Sequence, residues 1–199
     1  MKGLVAVGVV LAVIFVGGCS VISWGVSNYN SLVAGDQNVN EKFAQVQNVY
    51  QRRADLIPNL VETVRGYAKH ERETFDAVIS ARARATQTTI DVKNLTPQML
   101  AGFQQAQGEL SSMLSRLMVV VESYPNLKAN ENFRDLQVQL EGTENRIAVE
   151  RREYNKAAQD YNTAIKVFPR NLIANYFSFT EKPYFQAEAG ADKAPKVKF

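Results

Sequence analysis

Cysteine and histidine are nearly absent: the 199 residues hold one of each, Cys19 and His70. That excludes an intramolecular disulfide framework, a structural zinc site and any Cys/His cluster for iron–sulfur chemistry. An excess of one charge is missing too. Lys and Arg number 23 against 20 Asp and Glu, for a net charge of +3, and basic residues never run beyond the pairs Arg52-Arg53 and Arg151-Arg152. Such a balance has no nucleic-acid footprint, so no nucleic-acid partner is expected. Strand-like alternation persists nowhere, which leaves no place for a Gly-rich phosphate loop after a strand; Gly66, Gly102, Gly108 and Gly142 are scattered in helical contexts. His70 lies in Lys69-His70-Glu71 on a charged helix face, and carboxylates are spread in patterns such as Lys69/Glu73 that suit solvated i,i+4 partners. Catalysis needs a nucleophile with its base, a metal, a cofactor cradle or a carboxylate pair in a cleft. The expectation is a protein that is not an enzyme, with no catalytic residue, cofactor or metal.

What is present begins with a membrane segment. Gly3 to Gly35 carries no charge, and Gly3 to Val26 is apolar apart from Cys19, Ser20 and Ser23. As a helix this stretch reaches about 36 Å, enough to cross a hydrocarbon layer of about 30 Å. Lys2 and the α-amine precede it, whereas the next basic residue after it is Lys42, offset by Asp36 and Glu41. The positive-inside rule then places the N-terminus in the cytoplasm and the remainder outside. Two readings of the segment stand. Val16-Gly17-Gly18-Cys19 after an apolar run looks like a bacterial lipoprotein signal, with Cys19 as the lipidated residue; continued apolar sequence through Val26, and Trp24 and Tyr29 at interfacial positions, suit an uncleaved signal anchor.

The rest reads as all-α. Val39, Phe43, Val46, Tyr50, Arg53, Ile57, Leu60, Val64 and Tyr67 alternate at spacings of 4 and 3, a helix seam of coiled-coil type. Residues 69–86 continue a helical pattern after a bend or break near Gly66, and residues 87–95 read as a polar connection. A second seam opens at Thr96-Pro97, a cap followed by Pro at the first helical position, carries Leu100, Phe103, Gln107, Leu110, Leu114, Leu117, Val121 and Tyr124, and ends at Pro125. A third runs from a cap at Asn130 through Phe133, Leu136, Leu140, Thr143, Ile147, Glu150, Tyr154, Ala157, Tyr161 and Ala164 to Phe168. Asn171 to Phe179 could add a short helix. These stripes cannot be buried singly, so the helices are expected to pack as an antiparallel bundle in which the first and third seams run parallel. On that arrangement Arg53 and Glu150 reach similar depth and are expected to pair. Residues 1–28 form the anchor or lipoprotein signal, 29–181 the bundle, and 182–199 an extended tail.

The run from Tyr50 to Glu71, YQRRADLIPNLVETVRGYAKHE, resembles the signature of the LemA family. NYNSLV at 28–33, ISARARA at 79–85, the two long helices and the ending KPYFQAEAGADKAPKVKF match as well, so the resemblance covers nearly the whole chain. It implies a bacterial, membrane-tethered helical bundle whose biochemical activity is undefined for most members. Some relatives are associated with magnetosome membrane formation and others are lipoproteins, and the topology has been proposed in both directions.

Read from its residues, the signature is mainly structural. Pro58 lacks an N–H and is expected to kink or interrupt the first helix, with Asp55 and Asn59 serving backbone groups freed there. Arg52, Arg53, Asp55, Pro58, Asn59, His70 and Glu71 either brace the bend or form a partner-binding patch. Tyr184 and Phe185 in the tail either contact a partner or fold back as a clasp. The expected function is a membrane-anchored interaction or assembly module of the cell envelope, its partners the lipid bilayer and an unidentified envelope protein or further copies of itself. The alternative is a self-assembling scaffold that shapes membrane.

Overall fold

In a computed structural model, which describes residues 2–87, 90, 92 and 95–187, the chain is helical, and no strand occurs among the described residues. The helices are α1 (Lys2–Arg65), α2 (Arg72–Gln87), α3 (Pro97–Val121), α4 (Pro125–Lys128), α5 (Glu131–Lys166) and α6 (Arg170–Tyr176). Two compact units share them: unit 1 takes Met1–Val39 and Ala157–Lys182, and unit 2 takes Asn40–Lys156 and Pro183–Phe199. Both α1 and α5 contribute to each.

In unit 1 the apolar stretch of α1 is uncovered from Leu11 onward. Leu11, Val13, Ile14, Phe15, Val16, Val21 and Ile22 are all exposed, and the helix is long and apolar enough to cross a membrane. An uncovered apolar helix of this length suits a bilayer, and the protein is membrane-associated. Beyond this stretch the unit closes on itself. Asn28 Oδ1 accepts from Arg170 Nε at 2.8 Å, Tyr29 packs on Phe177, and Lys182 pairs with Asp36 at 2.7 Å. Asn162 clamps the Lys182 backbone from both sides, donating to its carbonyl at 2.9 Å and accepting its N–H at 2.8 Å. The third seam was expected to run to Phe168, but α5 stops at Lys166 and Phe168 is 77% exposed.

The caps of unit 2 follow the sequence. Thr96 accepts from the Met99 N–H at 3.2 Å with Pro97 at the first helical position, and Asn130 accepts from the Phe133 N–H at 3.0 Å. The three seams supply the core, in which Phe43, Ile57, Leu60, Leu110, Leu117 and Phe133 are buried. Tyr67, expected on the first seam, lies beyond α1 and is exposed; Ala68 is buried instead. In the 87–95 connection, Gln87 closes α2 and Ile90 and Leu95 are buried, so it is less polar than expected; residues 88, 89, 91, 93 and 94 lie outside the described residues.

One expectation about direction is overturned. Phe43 of α1 meets Tyr154 of α5, and Arg53, further along α1, meets Glu144, further back along α5. The first and third seams are therefore antiparallel. The reason is α2, a full helix between the first two seams that reverses the chain once more: Arg65 lies over Phe75 and Arg82 reaches Ala54, so α2 runs against α1. With that extra reversal α1 and α3 run parallel, as Tyr50 against Phe103 and Arg53 against Ser111 show, and α5 opposes both.

Candidate functional site

Arg53 occupies a seam position, so helical periodicity carries its side chain into unit 2 and leaves it 2% exposed. A guanidinium there must be hydrogen-bonded to be tolerated. Nη1 donates to Glu144 Oε1 at 2.5 Å and to Ser111 Oγ at 2.9 Å; Nη2 donates to Gln107 Oε1 at 2.6 Å and to the Gln107 carbonyl at 3.3 Å. The group also lies over the Tyr50 ring at 5.0 Å. Gln107 passes the linkage on by donating to the Ala85 carbonyl at 3.2 Å, so one cation joins α1, α2, α3 and α5. The Glu144 side chain is 47% exposed, which leaves the carboxylate hydrated and the cation dry. Arg53 Nε is buried and has no hydrogen-bond partner among the described residues. The expected partner, Glu150, accepts instead from Arg146 at 3.1 Å, because the antiparallel course of α5 brings Glu144 to the level of Arg53.

Pro58 does not interrupt α1, which continues to Arg65. The carbonyl that lacks its usual donor is that of Ala54, four residues earlier. Arg82 of α2 donates to it through Nε at 2.7 Å. The expected helpers act elsewhere: Asp55 accepts from Gln51 at 2.7 Å, and the Asn59 carbonyl accepts from Thr63 Oγ1 at 2.7 Å. Arg52 is exposed, and His70 lies exposed in the turn between α1 and α2. Glu71 accepts from the Tyr124 hydroxyl at 3.3 Å, and burial together with this carboxylate raises the Tyr124 pKa. The signature thus divides into a buried node at Arg53, a repaired proline site and an exposed remainder.

Residues 182–187 belong to no helix, and from Pro183 the segment forms an extended strap on unit 2; residues 188–199 lie outside the described residues. Hydrogen bonds hold it through its main chain. Tyr154 Oη donates to the Pro183 carbonyl at 2.9 Å, and the Asn155 carboxamide donates to the Phe185 carbonyl at 2.9 Å and accepts its N–H at 2.8 Å. Arg151 and Gln104 both donate to the Gln186 carbonyl, at 2.6 and 3.1 Å. Phe185 is 5% exposed, stacked on Phe43 at 6.1 Å and edge-on to Tyr154 at 5.2 Å, with the Arg151 guanidinium 5.3 Å from its ring centroid. Burial, with Tyr184 adding to it, raises the Tyr154 pKa well above its ordinary value. Tyr184 stays half-exposed. Beside the strap lies a cavity of about 850 Å³ whose lining includes Tyr50, Arg53, Gln104, Gln107, Arg151 and Tyr184.

Such a groove can hold an extended polypeptide through its backbone, with one deep pocket for an aromatic side chain. The sequence singled out Tyr184 and Phe185 as one pair, and the structure separates them. Gln104 and Asn155 were missed. Each directly follows an aromatic seam residue, Phe103 and Tyr154, and only the docked strap reveals that their amides read a backbone.

The chain matches the model of the LemA family over residues 42–199. It is 28% identical over 181 residues to Magnetosome protein MamQ 1 of Paramagnetospirillum magneticum (strain ATCC 700264 / AMB-1), an alignment covering 82% of this chain and 66% of that protein. It is 24% identical over 162 residues to Protein LemA of Metamycoplasma hominis (strain ATCC 23114 / DSM 25592 / NBRC 14850 / NCTC 10111 / PG21), covering 81% of this chain and 70% of that protein. The chain thus spans about two thirds of the length of the MamQ relative, 66%.

Proposed function

The chain belongs to the LemA family, and we propose that it is a non-enzymatic interaction or assembly module held at the membrane of the bacterial cell envelope. The observation that carries this reading is the strap groove. Asn155, Gln104 and Arg151 grip main-chain atoms, which any extended segment possesses, and Phe185 supplies the single side-chain anchor. A bundle that binds one extended segment this way has the chemistry to bind another.

In this reading α1 is the anchor, its N-terminus is cytoplasmic and the remainder faces outward, following the placement of Lys2 and Lys42. Cys19 is exposed on α1, where a lipid-modified form would keep the protein on the same membrane. The likeness to a protein named as a magnetosome protein favours a second reading, in which copies assemble into a scaffold that shapes membrane.

The test is crosslinking of intact cells with a membrane-impermeant amine-reactive reagent, comparing the full chain with one lacking residues 183–199. A distinct envelope protein joined to the lysines beyond the anchor supports the interaction module, and large self-adducts support the scaffold. Modification only after lysis would sink the outward orientation. Adducts to neither a partner nor a copy would sink the assembly reading itself.

A further inference from the structure

Unit 1 exposes a second apolar surface. Leu172 and Tyr176, four residues apart on α6, are 60% and 82% exposed, with Phe168 before the helix at 77% and Phe177 after it at 52%. The opposite side of α6 is the packed one: Ala174 is 1% exposed. Phe168, Leu172 and Tyr176 turn outward from one short helix and its flank and stay largely uncovered among the described residues, and a surface of this kind marks a contact.

Its position says what covers it. Arg170 Nε donates to Asn28 Oδ1 at 2.8 Å, and the Asn28 carboxamide donates in turn to the Trp24 carbonyl at 2.8 Å. Tyr29 packs against Phe177 at 4.6 Å and Phe179 at 5.8 Å between ring centroids. These contacts fix α6 beside the turn of α1 in which the apolar stretch ends, where Trp24 is 43% exposed and Val26 54%. The patch therefore lies beside the end of the apolar stretch of α1. Its composition, two Phe, a Tyr and a Leu with Arg170 alongside, is that of side chains which settle where acyl chains meet headgroups.

We infer that α6 and its flanking residues form a second membrane contact, an amphipathic wedge seated in the interfacial layer of a glycerophospholipid bilayer beside the emerging α1. Phe168, Leu172, Tyr176 and Phe177 enter the acyl boundary, and Arg170 stays at the level of the phosphates. Unit 1 then meets the bilayer at two points, which stops it turning about the axis of a lone spanning helix. The inference rests on the membrane anchorage proposed above.

The chain's one tryptophan is Trp24, which supplies the reference. The full chain is placed in phosphatidylcholine–phosphatidylglycerol liposomes, and Leu172→Trp and Tyr176→Trp are each made in a Trp24→Phe background. Fluorescence is quenched from the lipid side by phosphatidylcholine brominated near the headgroup and from the water by iodide. Circular dichroism checks that helicity is kept. The expected result is that Trp24 and both introduced tryptophans lose several-fold more intensity to brominated lipid than to iodide. If Trp24 behaves so but positions 172 and 176 respond to iodide alone, the wedge is wrong and the anchor stands. If they respond to neither quencher, another copy of the chain covers the patch, and the wedge is again wrong. If Trp24 itself escapes the brominated lipid, the anchorage reading fails and takes the wedge with it.

Discussion

Arg82 replaces the amide that Pro58 lacks: its Nε donates to the Ala54 carbonyl at 2.7 Å, from a different helix. A proline inside a helix normally orphans the carbonyl four residues before it, and Ala54 is only 2% exposed, so water is no substitute. The proline and the arginine are thus one device, in which the defect in α1 creates an acceptor that holds α2 in place.

Arg82→Met should cost about 1–3 kcal/mol, the desolvation penalty of an unsatisfied buried acceptor. In a Pro58→Ala background the new N–H serves Ala54, and the same change should cost less by about 1 kcal/mol. Chemical unfolding of the four proteins in detergent, followed by circular dichroism, gives the coupling. Strict additivity would show that the two residues act independently.

Glu144→Ala should destabilise by about 2 kcal/mol, because it strips the carboxylate from a dry guanidinium, the exposure of Glu144 keeping the figure below that of a fully buried pair. Glu150→Ala should stay within about 0.5 kcal/mol, as expected for an ion pair whose arginine is exposed. Unfolding midpoints compare the two directly. Equal losses would contradict the assignment of Glu144 as the partner of Arg53.

Phe185→Ala empties an aromatic pocket and should cost about 3–5 kcal/mol if the strap unfolds with the bundle. Asn155→Ala leaves the pocket filled but removes both main-chain bonds to Phe185, and should raise amide exchange at residues 183–186 with little change elsewhere. Hydrogen exchange with mass detection reads this. Unchanged protection of the strap would mean that Phe185 alone holds it.

Tyr161 has its hydroxyl pushed up to about 12 from 10.0, by burial first and by Asp36 second. A raised folded-state pKa means stability that is complete below about pH 10 and is lost as pH climbs through about 12. Tyr154 is raised too, mainly by burial, and its ionised form could no longer donate to the Pro183 carbonyl. Melting temperature should therefore fall between about pH 10 and about pH 12, and Tyr161→Phe should flatten the fall. A fall of the same depth in that variant would place the titration elsewhere.

Much of the helical framework was legible in the sequence because it depends on local chemistry. The uncharged stretch after Lys2 had the composition of a membrane-associated helix, Thr96 and Asn130 had the side chains that cap helices, and the three seams had the spacing that one helical face requires. Gly66 correctly marked the end of a helix, since α1 stops at Arg65. The strap was legible only as a pair of aromatics in a tail, and its recognition residues Gln104 and Asn155 looked like ordinary flanking polar residues.

Local pattern determined where helices are capped, which face they bury and that one stretch is long and apolar enough to cross a membrane. Tertiary structure decided the rest, because direction is set by counting whole elements and a partner is set by direction. Once α2 is a separate helix, α5 runs against α1, and Arg53 takes Glu144 in place of Glu150. The same packing brings Arg82 to the carbonyl that Pro58 leaves open, and it draws Phe185 in among Phe43, Phe103 and Tyr154 while Tyr184 stays outside. A single helix cannot encode these choices, since a hydrogen bond between helices depends on which residue lies opposite, and that is fixed only when the whole bundle closes.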